Sequence, residues 1–171
     1  HTYRDKRLAY ESSMRVPMII RYPKMIEENS EIFEQCLNID LAPTILELAG
    51  IEMPKNIQGE SLVPLLKGKT KYKWRKSIFF EYYVDDAWPF AGPDLVAIRT
   101  DKFKLVDNFL TNDIDELYDL ENDPGEMKNL INDSNFDKIE EKLRTELKRL
   151  MTKSKYNPDR DWWLKQQKNL K

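Results

Sequence analysis

The sequence predicts two architectures in succession: the end of an α/β domain over residues 1–70, then a small α+β subdomain over residues 71–171, a four-stranded antiparallel sheet with one long helix. Three observations carry this reading. Residues 16–22 are apolar almost throughout, as in a strand covered on both faces within a parallel sheet. Past a basic connector at 67–76 the pattern changes to short runs separated by turn residues. Further on, Phe136, Ile139, Leu143, Leu147, Leu150 and Met151 recur at three- and four-residue steps, the spacing of an amphipathic helix.

Taken in order, the first strand tolerates Pro17 near its start, where a missing N–H is harmless. Residues 24–34 read as a polar connection. A helix follows, capped by Asp40, with Pro43 in its first turn and Leu41, Ile45, Leu48 and Ala49 along one face. Gly50 stops it, and Ile51 is placed for a Schellman-type contact. A shorter helix takes Ser61 as cap, Pro64 in its first turn, Leu62, Leu65 and Leu66 as its apolar side, and Gly68 as its stop. The expected strands of the second part are 78–83, 95–99, 103–106 and 116–120, with Thr100-Asp101-Lys102 closing an antiparallel hairpin. The loop 85–94 carries Trp88 and Phe90 between proline and glycine breakers, and aromatic faces there would suit a sugar ring or an aryl group; a hydrophobic cluster under a long loop is an equally good reading. Ser134, with Asp137 three residues on, opens the long helix, and its charged face predicts solvated i,i+4 pairs.

At 40% hydrophobic and 34% charged, the composition is that of a globular chain with a charged surface. A net charge of −2 with interleaved signs excludes a nucleic-acid-binding stripe, and no apolar run approaches a membrane span, so neither partner is expected. Cys36, the single cysteine, excludes a disulfide framework and a cysteine-based zinc cluster. His1 is the single histidine. The chain opens on His1 without an initiator Met or targeting segment, and its first seventeen residues run straight into the apolar stretch. It therefore reads as a piece of a larger α/β enzyme, with one edge of an active site at the cut. On spacing alone Lys6 is a solvated lysine, and Glu11 and Arg15, four apart, form a helical ion pair worth about 0.3–0.5 kcal/mol if exposed.

The whole string changes the weight of these residues. Asp5-Lys6-Arg7-Leu8-Ala9-Tyr10-Glu11-Ser12-Ser13-Met14-Arg15-Val16-Pro17-Met18-Ile19-Ile20-Arg21-Tyr22-Pro23 resembles the D-K-R-x-x-Y-E-E-S-x-R-V-P-L-I-V-R-x-P segment of type I (formylglycine-dependent) sulfatases. Asp40-Leu41-Ala42-Pro43-Thr44 through Gly50, then Gln58-Gly59-Glu60-Ser61-Leu62 through Gly68, are similar to that family's D-L-A-P-T-L-L-x-L-A-G and Q-G-x-S-L-x-P-L-L-x-G. Val96-Ala97-Ile98-Arg99-Thr100-Asp101-Lys102-Phe103-Lys104-Leu105 and the stretch from Glu116 to Leu130, with Asp123-Pro124-Gly125-Glu126, are similar to its C-terminal signature. These stretches stand in the family's order as far as residue 130. Beyond it, the remaining helix and Trp162-Trp163 match nothing assignable.

The resemblance implies an alkaline-phosphatase-like α/β fold, of which this chain would hold the C-terminal part of the catalytic domain, and hydrolysis of sulfate monoesters. It implies Lys6 as a lysine that contacts the sulfate, a point charge suited to a compact oxyanion. It places His1 in the same region, although Thr2 stands where the family has glycine. Tyr10, Glu11 and Arg15 would be scaffold for the loop that carries Lys6, and Ser12 replaces a common Glu. Calcium and a formylglycine made from a C/S-x-P-x-R motif are implied for the parent protein, with ligands and nucleophile outside this chain. Cys36 is followed by Leu37-Asn38-Ile39, so it is expected to be a small buried residue and not that precursor. No residue here is expected to bind metal. The expected partners are a sulfated small molecule or glycan and the upstream part of the same catalytic domain. A periplasmic or secreted location follows from the family, while a single cysteine also fits the cytoplasm. Two other readings stand beside this one: a phosphate or phosphonate ester hydrolase on the same scaffold, and a non-catalytic structural or interaction module. Taken alone, the chain is expected to be inactive and to leave the 16–22 strand exposed.

Overall fold

The structure, a computed structural model, describes residues 8–68, 72–82, 95–108 and 113–156. His1, Lys6, the 85–94 loop and Trp162-Trp163 lie outside the described residues. Two compact units are formed: residues up to Met14 join those from Ile78 onward, and Arg15–Ser77 make the other.

In the first unit, β1 (Ser77–Tyr82), β2 (Leu95–Thr100), β3 (Phe103–Asp107) and β4 (Glu116–Asp119) lie side by side in chain order as the expected four-stranded antiparallel sheet. Ile98 stands opposite Leu105, and Leu105 opposite Leu117, so all three share one face. That face receives the long helix. Val96, Ile98, Leu105 and Leu117 pack with Leu143 and Leu147 in one buried cluster. The opposite face is also covered. Leu95, Ala97 and Val106 pack with Ala9, which is why Leu95, Val96, Ala97 and Ile98 are buried in succession. The β2–β3 turn is held by Thr100, whose hydroxyl accepts from the Phe103 N–H and donates to the Phe103 carbonyl, both at 3.0 Å.

The long helix spans Asp137–Lys153, behind a 3-10 turn at Ser134–Phe136. The capping side chain is Asp133, one residue before the expected Ser134; it accepts from the Asn135 N–H at 3.1 Å. The outer face of this helix is more than a solvated surface. Arg144 reaches Glu140 at 2.7 Å, the expected i,i+4 pair, and also Asp107 at 3.2 Å and Asp115 at 2.6 Å. A short helix, α1 (Glu11–Met14), belongs to this unit as well. The later helices are α2 (Leu41–Leu48), α3 (Val63–Leu66) and α4 (Asp137–Lys153).

In the second unit α2 ends as predicted. Gly50 adopts φ of 69°, the Ile51 N–H reaches the Leu46 carbonyl at 3.0 Å, and the Gly50 N–H reaches Glu47 at 3.1 Å. Gly68 repeats the left-handed stop after α3. Two expectations fail here. The apolar face of α2 is exposed, with Ile45 at 64%, while Pro43 and Thr44 are its buried residues. Residues 16–22 form no strand, and Ile19 is 93% exposed. A strand exists only where a neighbour supplies N–H and C=O partners, and every strand among the described residues belongs to the other sheet.

Candidate functional site

Residues Ala9 to Glu11 are held against the sheet. Ala9 is 2% exposed, and its carbonyl accepts from the Lys104 ammonium at 2.7 Å. Lys104 is fully buried on β3, because residues 104 and 106 share the face opposite Leu105. Its ammonium has three donors, and three oxygens meet it: Ala9 carbonyl, Glu126 Oε1 at 2.7 Å and Glu11 Oε1 at 2.8 Å. Glu11 also takes Arg99 Nη2 at 3.1 Å, and its own N–H donates to Glu126 Oε2 at 2.6 Å. Two cations and two carboxylates thus alternate around the start of α1. Burial pushes the Glu11 carboxyl up, but the hydrogen bonds and charges of Arg99 and Lys104 outweigh it and hold its pKa below the ordinary value.

Glu126 reaches this position from a built turn after β4. Asp119 accepts from the N–H groups of Glu121 and Asn122 at 3.1 Å, and Asp123 accepts from the Lys128 N–H at 2.9 Å. Glu126 itself sits at φ of 54°, a conformation that a non-glycine residue adopts only where its surroundings hold it. Beside it, Tyr118 and Tyr10 both donate to Glu116, at 3.1 and 3.4 Å. Burial and the Glu116 charge raise both phenols. Burial raises Glu116 as well, against the two tyrosine hydrogen bonds.

Tyr10 and Glu11 are tied to the sheet, Tyr10 through Glu116 and Glu11 through Arg99 and Lys104, while Arg15 is exposed. The expected Glu11–Arg15 helical pair is replaced: α1 stops at Met14, and the Glu11 carboxylate goes to Arg99 and Lys104. Lys104 and Glu126 were missed. The available signal was a lysine alternating with buried positions, Lys104 and Val106 on one side of Leu105.

The arrangement around Asp40 is a brace. Asp40 is fully buried and makes no side-chain cap to α2, contrary to expectation. Its carboxylate accepts from the N–H groups of Leu37 at 2.8 Å and Glu60 at 2.9 Å, and from Arg75 Nη2 at 2.7 Å. Arg75 also lies 4.4 Å over the Trp74 ring. Thr44 donates to the Asp40 carbonyl at 2.6 Å and accepts from the Leu62 N–H at 2.8 Å, which ties α2 to the start of α3. Gly59 passes so close to Ile39 that a Cβ there would collide with its carbonyl oxygen. Cys36 is half-buried rather than fully buried, against the Leu62 and Trp74 cluster. Burial, then the Asp40 charge, pushes its thiol up and away from nucleophilic use.

Among the described residues no group of three or more His, Cys, Asp or Glu side chains could hold a metal ion. Cys36, followed by Leu37-Asn38-Ile39, lacks the x-Pro-x-Arg context of a formylglycine precursor.

The family described as N-sulphoglucosamine sulphohydrolase, C-terminal, matches residues 1–153. The N-acetylglucosamine-6-O-sulfatase of Bacteroides thetaiotaomicron is 41% identical over 164 residues, which cover 93% of this chain and 29% of that protein. A solved structure of a protein in complex with its substrate D-glucosamine-2-N,6-O-disulfate superposes with a TM-score of 0.84 at 37% identity, covering 90% of this chain and 31% of the other. The phosphonate monoester hydrolase of Agrobacterium radiobacter is more distant, with a TM-score of 0.57 at 26% identity over 67% of this chain and 24% of that one. The chain thus spans about three tenths of the length of the sulfatase relatives it matches.

Proposed function

The chain belongs to the sulfatase family, through its N-sulphoglucosamine sulphohydrolase C-terminal domain, and from that premise we propose that it is the C-terminal part of an enzyme that hydrolyses a sulfate monoester on an amino sugar. The observation that carries the reading is 41% identity across 93% of the chain to an N-acetylglucosamine-6-O-sulfatase. The substrate class is a 6-O-sulfated glucosamine derivative, free or at the end of a glycan. In this reading Lys6 presents its ammonium to the sulfate oxygens, where charge grows as the ester bond breaks, and His1 stands in the same region. The family's formylglycine and metal ion come from residues outside the described part of this chain, with the upstream catalytic domain as partner. The proposed location is the periplasm or the exterior of the cell.

The test is steady-state kinetics of the whole protein on glucosamine-6-sulfate, an aryl sulfate and a phosphonate monoester. The sugar sulfate is expected to give the highest kcat/KM, and Lys6→Ala to lower kcat by about 10²–10³-fold, the loss typical of one removed oxyanion stabiliser. A higher kcat/KM on the phosphonate ester would reverse the assignment of reaction. Unchanged turnover in Lys6→Ala would remove the lysine from the site.

A further inference from the structure

We propose that residues Ala9–Met14 complete the core of the C-terminal sheet, so that Arg15–Ser77 is an insertion within a discontinuous domain. Residues up to Met14 fall in one compact unit with those from Ile78 onward. Apolar and charged contacts both hold the segment. Ala9 is buried with Leu95, Ala97 and Val106, and Leu8 and Met14 pack against the same cluster, as do Phe80 and Tyr82. The polar partners are divided between segment and sheet. Of the three oxygens around the fully buried Lys104 ammonium, the segment supplies two, the Ala9 carbonyl and Glu11 Oε1. Glu11 also meets Arg99 through Nε at 3.2 Å and Nη2 at 3.1 Å. In return Glu126 accepts the Glu11 N–H at 2.6 Å, and the Tyr10 ring lies 6.1 Å from that of Tyr118.

A self-sufficient sheet has no use for a lysine at this place. Without the segment, Leu95, Ala97 and Val106 lose their cover, and the Lys104 ammonium keeps Glu126 alone on an apolar face. The sheet therefore depends on groups that stand 88 and 95 positions earlier in the chain. An exposed pair would be worth little, whereas a buried one broken on one side is costly. The chain leaves this domain after Met14 and returns near Ser77.

The experiment is amide exchange at neutral pH on the whole protein and its Glu11→Ala variant, resolved by segment. Glu11→Ala keeps every sheet residue and removes only the carboxylate that the segment supplies. The β2 and β3 amides are expected to exchange about 10–100-fold faster, and those of α2 and α3 to stay within about 3-fold. Should Glu11→Ala not fold, Glu11→Gln replaces it, with the same pattern at about 5–10-fold. Faster exchange at residues 9–14 over an unchanged sheet overturns the proposal, because the segment then rests on a domain that is complete without it. Acceleration of α2 and α3 by the same factor overturns it too, since the chain is then one domain with no insertion. No acceleration in a folded variant has the same effect.

Discussion

Asp40 and Lys104 are both charged, both without exposure, and both complete in their partners. Each therefore works as a fixed joint, because an ion removed from water is tolerated only when every lone pair or proton is met. The Asp40 joint gives a direct prediction. Arg75→Met leaves a buried carboxylate with two backbone donors and no counter-charge, so unfolding free energy is expected to fall by about 3–5 kcal/mol. Urea unfolding at neutral pH measures it, and a change below about 1 kcal/mol would mean that the carboxylate finds water or takes a proton. The sequence pointed to Asp40 as important and to the wrong role. A residue before an apolar helix reads as a cap, whereas the partner that decides its function, Arg75, stands 35 positions later with nothing local to announce it. Lys104 was hidden by the same gap. Tyr10 and Glu11 were singled out through the motif they share with Lys6, though the partners that hold them, Glu116, Arg99 and Lys104, were not.

Elements whose apolar period is used within the chain were readable almost to the residue. β2, β3, β4 and α4 bury their stripes against one another, so pattern and structure agree. Residues 16–22 and the apolar face of α2 carry the same kind of pattern and bury little of it. Local sequence records what an element is built to touch, and the described residues do not include those partners. α1 is the opposite case, four residues too short to hold itself as a helix and fixed by the Glu11 ion pairs and by Met14 packed on the sheet. Its anchorage should depend on pH with a definite sign. Glu11 has a folded pKa below its ordinary 4.5, so its stabilising contribution is full above that value and is lost as pH falls through the lower, folded one. Glu116 is shifted the other way; its contribution is full below the ordinary value and fades as pH rises through the folded one. Amide exchange at Glu11, corrected for intrinsic rate, is thus expected to speed up below about pH 4 before the β3 amides do. Equal protection of the Glu11 amide at about pH 3 and pH 7 would show that the ion pairs do not hold the helix.

At the scale of the molecule, the proposed function separates catalysis from anchorage. The sequence contains no Cys or Ser followed by the x-Pro-x-Arg context that the family's nucleophile requires. What it does contain is a sheet that grips the segment after Lys6 and a unit that presents Val16 at 63%, Ile19 at 93% and Phe33 at 86% exposure. Apolar side chains exposed to that degree in one unit raise the free energy of the solvated chain by roughly 25 cal/mol for each Å² of apolar surface left in water. The 171-residue chain by itself is therefore expected to bind an apolar dye and to hydrolyse no sulfate ester with calcium present, while the whole protein does the reverse on both counts. Dye fluorescence and product release, run side by side on the two proteins, measure this. The two readouts fail for different reasons. Turnover by the short chain would mean that Lys6 works with a nucleophile this sequence does not reveal. A dye-silent, monomeric short chain would mean that residues 16–22 and α2 find cover within the chain, and that the two units fold together without help.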